Sequence, residues 1–100
     1  MASIFRASKA EEDLLHIWLY VAQHDPDAAD KLLDQFGEVF ERIASSPGLG
    51  RDRSEAMAIR NLRSFPIQNY MIFYQEQTDG DIMVLRVFHT ARDIENLFEG

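Results

Sequence analysis

The hydrophobic positions of residues 8–22 repeat with the period of an α-helix. Ser8 and Glu11 have the spacing of a capping box, in which the serine hydroxyl accepts from a free amide and the glutamate reaches back, so we expect the helix to begin there. Leu15 and Leu19 widen its apolar side, and we leave open whether they pack under neighbouring loops or contact a partner. The stripe predicted to face the core consists of Ala10, Leu14, Ile17, Trp18 and Val21.

A second helix is predicted to start at Asp25-Pro26, because an N-cap carboxylate followed by proline at the first helical position is a strong start signal. Only Gln23 and His24 separate it from the first helix, which predicts a tight antiparallel hairpin. Its outer face is acidic, and we interpret that face as solvated surface rather than a metal site. Its apolar stripe consists of Ala29, Leu32, Leu33, Phe36, Phe40 and Ile43.

Short apolar runs in the second half of the chain predict strands. Residues 70–74 are apolar on both faces, which is typical of a central strand covered on both sides. Residues 62–65 form its predicted partner, and Pro66 marks the turn between them because proline cannot continue a ladder. Asp79-Gly80 is a strong two-residue hairpin signal, and it leads into a third strand at residues 82–88 that is apolar except for Arg86.

The remaining segments complete the predicted architecture. Residues 3–7 suggest a short opening strand, residues 45–55 a linker, and residues 90–93 an N-cap for a short helix containing Ile94, Leu97 and Phe98. We therefore predict one α+β domain over residues 1–100: a strand, a two-helix hairpin, a three-stranded antiparallel meander and a short C-terminal helix. Because the hairpin covers one face of the sheet, the other face is expected to be partly open and available to a partner.

Composition and charge narrow the functional classes. A chain of 100 residues with 46% hydrophobic residues fits one globular domain, and the absence of cysteine excludes disulfides and thiolate zinc sites. No apolar run is long enough to span a bilayer and no secretory signal is visible, so we expect a cytoplasmic protein. The net charge of −7 disfavours nucleic acid and points to a protein partner. Neither a cofactor nor a metal is expected.

Four sequence segments, in this order, resemble the RelE/ParE superfamily of bacterial toxin–antitoxin toxins, and its ParE branch in particular. The resemblance covers nearly the whole chain. The segments are residues 10–18 (AEEDLLHIW), 44–51 (ASSPGLGR), the pair 62–66 (LRSFP) and 70–74 (YMIFY), and 85–93 (LRVFHTARD).

The resemblance implies a small toxin that is neutralised by a co-encoded, ParD-like antitoxin. ParE proteins are associated with poisoning DNA gyrase, whereas RelE-like relatives cut messenger RNA within the ribosome. Both activities share the fold, so the fold alone does not choose between them.

Cutting RNA by 2′-hydroxyl attack needs a base, an acid and cations around the developing phosphorane. If this chain were a nuclease, the candidates for those roles would be His89, Arg86, Arg63 and Tyr74. The lysines that act in other nuclease members have no counterpart, since Lys9 and Lys31 are the only lysines and lie in the helical half. We therefore interpret the chain as a gyrase inhibitor rather than a catalyst. The alternatives are a RelE-like endonuclease and a degenerate, non-toxic binding partner.

The arginines and His89 are the other candidate functional residues. His89 is interpreted as a cap for the turn after the last strand, and Arg86, alone in an apolar strand, is expected to be paired. Several arginines would converge on one end of the sheet and, with residues 89–100, contact the target; alternatively, they balance Asp52, Glu55, Asp81 and Asp93. The partner-binding candidates are Arg51, Arg53, Arg60, Arg63, Arg86, His89, Arg92, Leu15 and Leu19.

Overall fold

The computed structural model describes residues 2–93, which form a hairpin of two helices packed on one face of a five-stranded sheet. The strand order is β1-β5-β4-β3-β2, and the predicted α+β class is confirmed. The predicted helix containing Ile94 lies outside the described residues. In chain order the elements are β1 (Ile4–Arg6), α1 (Ser8–Ala22), α2 (Pro26–Ser45), β2 (Arg51–Asp52), α3 (Ser54–Met57), β3 (Leu62–Ile67), β4 (Tyr70–Glu76) and β5 (Ile82–His89).

Helix α1 begins one residue earlier than its capping box predicts. The N-cap is Ala7, and Ser8 is already helical, so no side chain caps this end and the prediction is wrong. The Ala7 N–H donates to the Val84 carbonyl at 2.9 Å, and the Ala7 carbonyl accepts from the Glu11 N–H at 3.0 Å. The pairing of the chain with β5 therefore sets where the helix starts.

Helix α2 starts as predicted, and the tight helical hairpin is confirmed. The Asp25 carboxylate accepts from the Ala28 N–H at 3.1 Å, and Pro26 occupies the first turn. Trp18 is not the core residue that its stripe position predicts. It is half-buried, and its indole N–H donates to the Asp30 carboxylate at 2.9 Å. The indole lies between the helices because its polar N–H needs a partner.

Strand β4 is central, paired with β3 on one side and β5 on the other, as its two apolar faces predict. Pro66 is not in the turn, however: it lies inside β3, opposite Met71, and the turn consists of Gln68 and Asn69. Strand β2 pairs only with Arg63 and Ser64 of β3. The missing N–H of Pro66 therefore falls where the outer side of β3 has no neighbour, so no ladder bond is lost.

The connection between β4 and β5 is longer than the two-residue turn predicted at Asp79-Gly80. It spans residues 77–81, because β4 continues to Glu76 and pairs there with Ile82. The Gln77 N–H donates to the Asp81 carbonyl at 2.7 Å, and the Gly80 N–H donates to the Gln77 carbonyl at 3.0 Å. Gly80 has a φ of 89°, so this loop still needs its glycine.

The predicted linker contains structure that the sequence pattern does not reveal. A 3₁₀ turn at Pro47–Leu49 leads into β2, where Arg51 pairs with Ser64, and then into the single-turn helix α3. The Asp52 carboxylate accepts from the Ser54 hydroxyl at 2.6 Å and from the Ser54 N–H at 2.8 Å. These bonds lower the pKa of Asp52. Elements of two and four residues are too short to show a hydrophobic period.

The sheet carries a core cluster on each face. The helical stripes pack against Tyr70, Ile72 and Tyr74 on one face. On the other face Leu62, Phe73 and Phe88 are 1%, 7% and 6% exposed, with side chains including Met57 of α3 packed against them. The four-residue helix α3 covers only part of this face, and a cavity of about 450 Å³ stays open beside these side chains, so the expectation of a partly open face is confirmed.

A buried tyrosine anchors the turn between the two layers. The Tyr74 side chain is fully buried, and its hydroxyl accepts from the Gly50 N–H at 2.8 Å and donates to the Pro47 carbonyl at 2.7 Å. Arg63 donates to the Gly50 carbonyl at 2.8 Å. A Cβ at Gly50 would lie 2.6 Å from the Tyr74 hydroxyl and 2.7 Å from the Ser64 carbonyl oxygen. This close approach of backbone to strand requires glycine.

We expect Gly50→Ala to lower the free energy of unfolding by about 1–3 kcal/mol, the usual range for forcing an extra methyl into a packed site. The Ser64 carbonyl belongs to a paired strand and cannot move aside as a flexible side chain would. Urea denaturation followed by circular dichroism measures the change. Gly48→Ala is the matched control, since nothing lies within 4 Å of its Cβ. Equal stability of the two variants would contradict this account.

Candidate partner-binding surfaces

Arg86 is held by a carboxylate of the helical layer. Its Nε donates to Asp13 Oδ2 at 2.8 Å and its Nη2 donates to Asp13 Oδ1 at 3.0 Å. The same Asp13 carboxylate accepts from the Val87 N–H at 2.9 Å. The hydrogen bonds that Arg86 donates to Asp13 raise the pKa of Arg86. The guanidinium carbon also lies 4.4 Å from the centroid of the Phe88 ring. The expected pairing of Arg86 is confirmed, and Asp13 is its partner.

His89 closes the turn that follows β5. Its Nδ1 accepts from the Ala91 N–H at 3.2 Å and from the Arg92 N–H at 3.0 Å, while its own N–H donates to the Asp93 carboxylate at 2.8 Å. Its ring meets the Tyr70 ring edge-on, with centroids 5.2 Å apart. The interpretation of His89 as a cap is confirmed by these bonds.

The four candidate nuclease side chains do not come together. Arg63 and Tyr74 both bond to Gly50, and burial raises the pKa of Tyr74, which keeps its phenol protonated at neutral pH. His89 lies opposite Tyr70, four positions and about 13 Å along β4 from Tyr74. Arg86 lies opposite Phe73, whose side chain faces the other side of the sheet.

The six candidate arginines fall into two groups with β4 between them: four lie together at the β2–β3 edge, whereas Arg86 and Arg92 lie on the other side of β4. Arg51, Arg53 and Arg63 lie at the β2–β3 edge, and Arg60 precedes β3. The Arg53 Nε donates to the Ser64 hydroxyl at 2.8 Å. On the other side, Arg86 is bound to Asp13, and Arg92 lies over the Tyr20 ring at 4.2 Å.

Among residues 2–93, no arginine forms a close ion pair with Asp52, Glu55, Asp81 or Asp93, but Arg63 lies opposite Asp52 in the sheet and interacts with its charge. Three of these carboxylates accept from backbone amides instead. Asp52 accepts from the Ser54 N–H, Asp81 from the Ser3 N–H and Asp93 from the His89 N–H.

The described residues contain no cluster of three or more histidine, aspartate or glutamate side chains that could hold a metal ion. No helix in this part of the chain is long and apolar enough to cross a membrane.

Residues 2–93 carry two apolar surfaces that a partner could contact. The first, which we name the α1 ridge, consists of Leu15, Leu19 and Tyr20, which are 55%, 48% and 50% exposed. At these exposures Leu15 and Leu19 do not pack under neighbouring loops, which was one of the two alternatives left open for them. The second is a cavity of about 450 Å³ on the other face of the sheet, lined by side chains that include Met57, Ile59 and Leu85. The first surface is a ridge and the second a cavity, and exposed apolar surfaces of either shape are often covered by protein partners.

A family model described as the ParE toxin of the type II toxin–antitoxin system parDE matches residues 4–94. The chain belongs to the ParE toxin family. A curated relative of this ParE-family chain is Toxin ParE3 of Caulobacter vibrioides, which is 27% identical over 88 residues, covering 87% of this chain and 85% of the relative. The predicted resemblance to the RelE/ParE superfamily is therefore confirmed.

Solved structures share the ParE fold. A chain of the chromosomal ParDE toxin–antitoxin system from P. aeruginosa superposes with a TM-score of 0.71 at 21% identity, covering 89% of this chain and 96% of that one. A chain of the RelBE2 toxin–antitoxin complex from Mycobacterium tuberculosis gives a TM-score of 0.55 at 18% identity, with coverage of 88% and 96%. At 21% and 18% identity, these superpositions show that the fold is shared and no more.

Two residues that the structure places at these surfaces, Tyr20 and Asp13, were not singled out in the sequence. Tyr20 lies in an unbroken apolar run and has no feature that marks it as exposed. Asp13 does carry a signal: it stands three positions after Ala10 and four before Ile17, which places a carboxylate at the border of the buried stripe. A charge in that position needs a partner, and the lone Arg86 of β5 needed one too.

In this ParE-family chain, Asp13→Ala should lower the free energy of unfolding by about 2–3 kcal/mol, since hydrogen bonds to charged groups are lost and the Val87 N–H is left unpaired. The loss stays below that of a fully buried pair because the Arg86 side chain is 32% exposed. Hydrogen exchange should show faster exchange at the Val87 amide. Asp34→Ala, on the exposed face of α2, is the control. Unchanged protection at Val87 would refute the assignment.

Proposed function

We propose that this ParE-family toxin acts in the cytoplasm by binding DNA gyrase, and that a ParD-like antitoxin holds it inactive. The observation that carries the proposal is the engagement of every candidate nuclease side chain in structural hydrogen bonds. The relatives give further support, because one is named Toxin ParE3 and another comes from a ParDE toxin–antitoxin system. Residues 1–100 act in this proposal as one toxin domain.

The hydrogen bonds of the four candidate nuclease side chains favour a binding protein over a nuclease. A general base needs a free lone pair within reach of the proton it removes. The Nδ1 lone pair of His89 accepts from two backbone amides. The Tyr74 hydroxyl accepts from the Gly50 N–H and donates to the Pro47 carbonyl. Arg63 and Arg86, which would stabilise phosphorane charge, are bonded to Gly50 and Asp13. These four side chains therefore do not form one site in which an acid, a base and a cation could act on the same phosphate.

Charge supports the same choice of target class. A ribosome-dependent nuclease approaches a dense array of RNA phosphates, which attract basic surfaces. This chain has a net charge of −7 and only ten basic residues. Recognition of a protein target through apolar and hydrogen-bonding contacts suits such a chain better.

The first test induces the chain alone in cells and follows two readouts in the same samples. We expect the DNA-damage response to rise while transcripts stay intact, and the purified protein to inhibit supercoiling by purified gyrase. Rapid transcript cleavage without DNA damage would overturn the proposal in favour of a RelE-like nuclease. Absence of any growth defect would leave only a non-toxic binding partner.

The second test replaces His89 with asparagine. His89→Asn keeps a hydrogen-bond acceptor near the position of Nδ1 but removes the imidazole that a nuclease would use as acid or base. Gyrase inhibition should stay within a few-fold of wild type, whereas loss of a general acid or base would reduce cleavage by about 10²–10⁴-fold. His16→Asn, on the exposed face of α1, controls for loss of an imidazole elsewhere. A hundred-fold loss of transcript cleavage in His89→Asn, with no such loss in His16→Asn, would favour catalysis.

A further inference from the structure

The arginines of this chain differ in what their guanidinium groups contact. All eight lie within residues 2–93, and four of them have a carboxylate or an aromatic ring as partner. Asp13 binds Arg86, and aromatic rings lie beside Arg6, Arg42 and Arg92. In the described part of the chain the other four have neither a close ion pair nor an aromatic ring beneath them. These four, which we name the arginine edge, are Arg51, Arg53, Arg60 and Arg63.

The arginine edge is a positive region on an acidic protein. Residues 46–69, which contain β2, α3 and β3, hold four arginines and two acidic residues, a net charge of +2. Residues 8–45, which contain α1 and α2, hold nine acidic and three basic residues, a net charge of −6. The chain therefore carries opposite charges on its helical layer and on one edge of its sheet. Such an arrangement attracts an anionic partner to that edge and repels it from the helices.

Two arginines of the edge are held in place by neutral groups. The Arg53 Nε donates to the Ser64 hydroxyl at 2.8 Å, and Ser64 itself is 2% exposed. The Arg63 Nη1 donates to the Gly50 carbonyl at 2.8 Å. Because these acceptors carry no charge, they orient both guanidinium groups without neutralising them, and each group keeps further N–H donors. Side chains that are already ordered lose less conformational entropy when a partner binds.

The carboxylates at the same edge indicate the class of partner. Asp52 and Glu55 are both exposed there, beside Arg51 and Arg53. A polyphosphate backbone would be repelled by these two carboxylates, whereas a protein surface can place single carboxylates against the arginines and leave Asp52 and Glu55 in water. Guanidinium groups also bind protein carboxylates with two parallel hydrogen bonds. The edge therefore suits an acidic protein surface better than a nucleic acid.

We propose that the arginine edge contacts an acidic surface of DNA gyrase. This inference rests on the proposed function, which supplies the target, and it adds the surface of the toxin and the chemistry of the contact. Arg51 and Arg60, which are exposed, attract carboxylates of gyrase during the approach. Arg53 and Arg63, which are half-buried and already oriented, bind carboxylates in the complex.

The test measures binding of the purified toxin to purified gyrase without DNA, by surface plasmon resonance at low and high salt. Arg51→Glu with Arg60→Glu should weaken binding by about tenfold or more, mainly through slower association, and should reduce its dependence on salt. Arg51→Lys with Arg60→Lys keeps the charge and should bind within about threefold of wild type, since long-range attraction depends on charge rather than on side-chain shape. Circular dichroism confirms that the variants fold.

The matched control is Lys9→Glu with Lys31→Glu, which changes the net charge by the same amount at two exposed residues of the helical layer. This control should bind gyrase within about twofold of wild type, because the helical layer faces away from the partner. The inference is overturned if the Arg51→Glu, Arg60→Glu variant binds gyrase as tightly as wild type does. It is also overturned if the control loses affinity equally, since net charge alone would then explain the loss.

Two further measurements separate this inference from its alternatives. Fluorescence anisotropy with duplex DNA alone should show binding far weaker than binding to gyrase. DNA binding as tight as gyrase binding, lost in Arg51→Glu with Arg60→Glu, would mean that the edge binds phosphates and would refute the inference. In supercoiling assays, wild-type toxin that neither binds nor inhibits gyrase would refute the proposed function and this inference together. Equal inhibition by wild type and the glutamate variant would refute the inference alone.

Discussion

The carboxylate of Asp13 joins the helical layer to the sheet at the point where β5 loses its outer neighbour. Strand β1 pairs with β5 only at Ile82, Met83 and Val84, so the edge of β5 beyond Val84 has no strand beside it. Asp13 accepts the Val87 N–H in place of that strand, and binds Arg86 with both oxygens. One side chain thus satisfies an edge amide and neutralises a charge in an apolar strand, two groups that would otherwise destabilise the sheet.

The other exposed edges are closed by similar local means. The Asp93 carboxylate accepts the His89 N–H, which extends the closure of β5 beyond Val87. On the opposite side of the sheet, Pro66 places a residue without an N–H on the part of β3 that β2 does not cover. These edges offer few free donors to an added strand. The largest net charge lies away from these edges, on the helical layer, where residues 8–45 hold nine acidic and three basic side chains.

Features of the fold could be predicted from the sequence where they depend on residues close together in the chain. The helical stripes, the Asp25 cap and the central position of β4 follow from local period and local capping, and they were predictable. The start of α1, the place of Pro66 and the existence of β2 depend on which strand lies alongside, which a single sequence does not state. The Asp13–Arg86 pair joins residues 73 positions apart, so the sequence showed two charges needing partners without pairing them.

The difference between local and long-range interactions also applies to the candidate nuclease residues. Residues at strand ends look catalytic in a sequence because histidine, tyrosine and arginine carry the needed groups. Whether those groups are available depends on contacts that only the folded chain makes: two amides occupy Nδ1 of His89, and the 47–50 turn occupies the hydroxyl of Tyr74. A side chain whose lone pairs already satisfy buried or edge amides cannot take up a proton without breaking those bonds. In this chain His89 and Tyr74 stabilise the turn after β5 and the 47–50 turn.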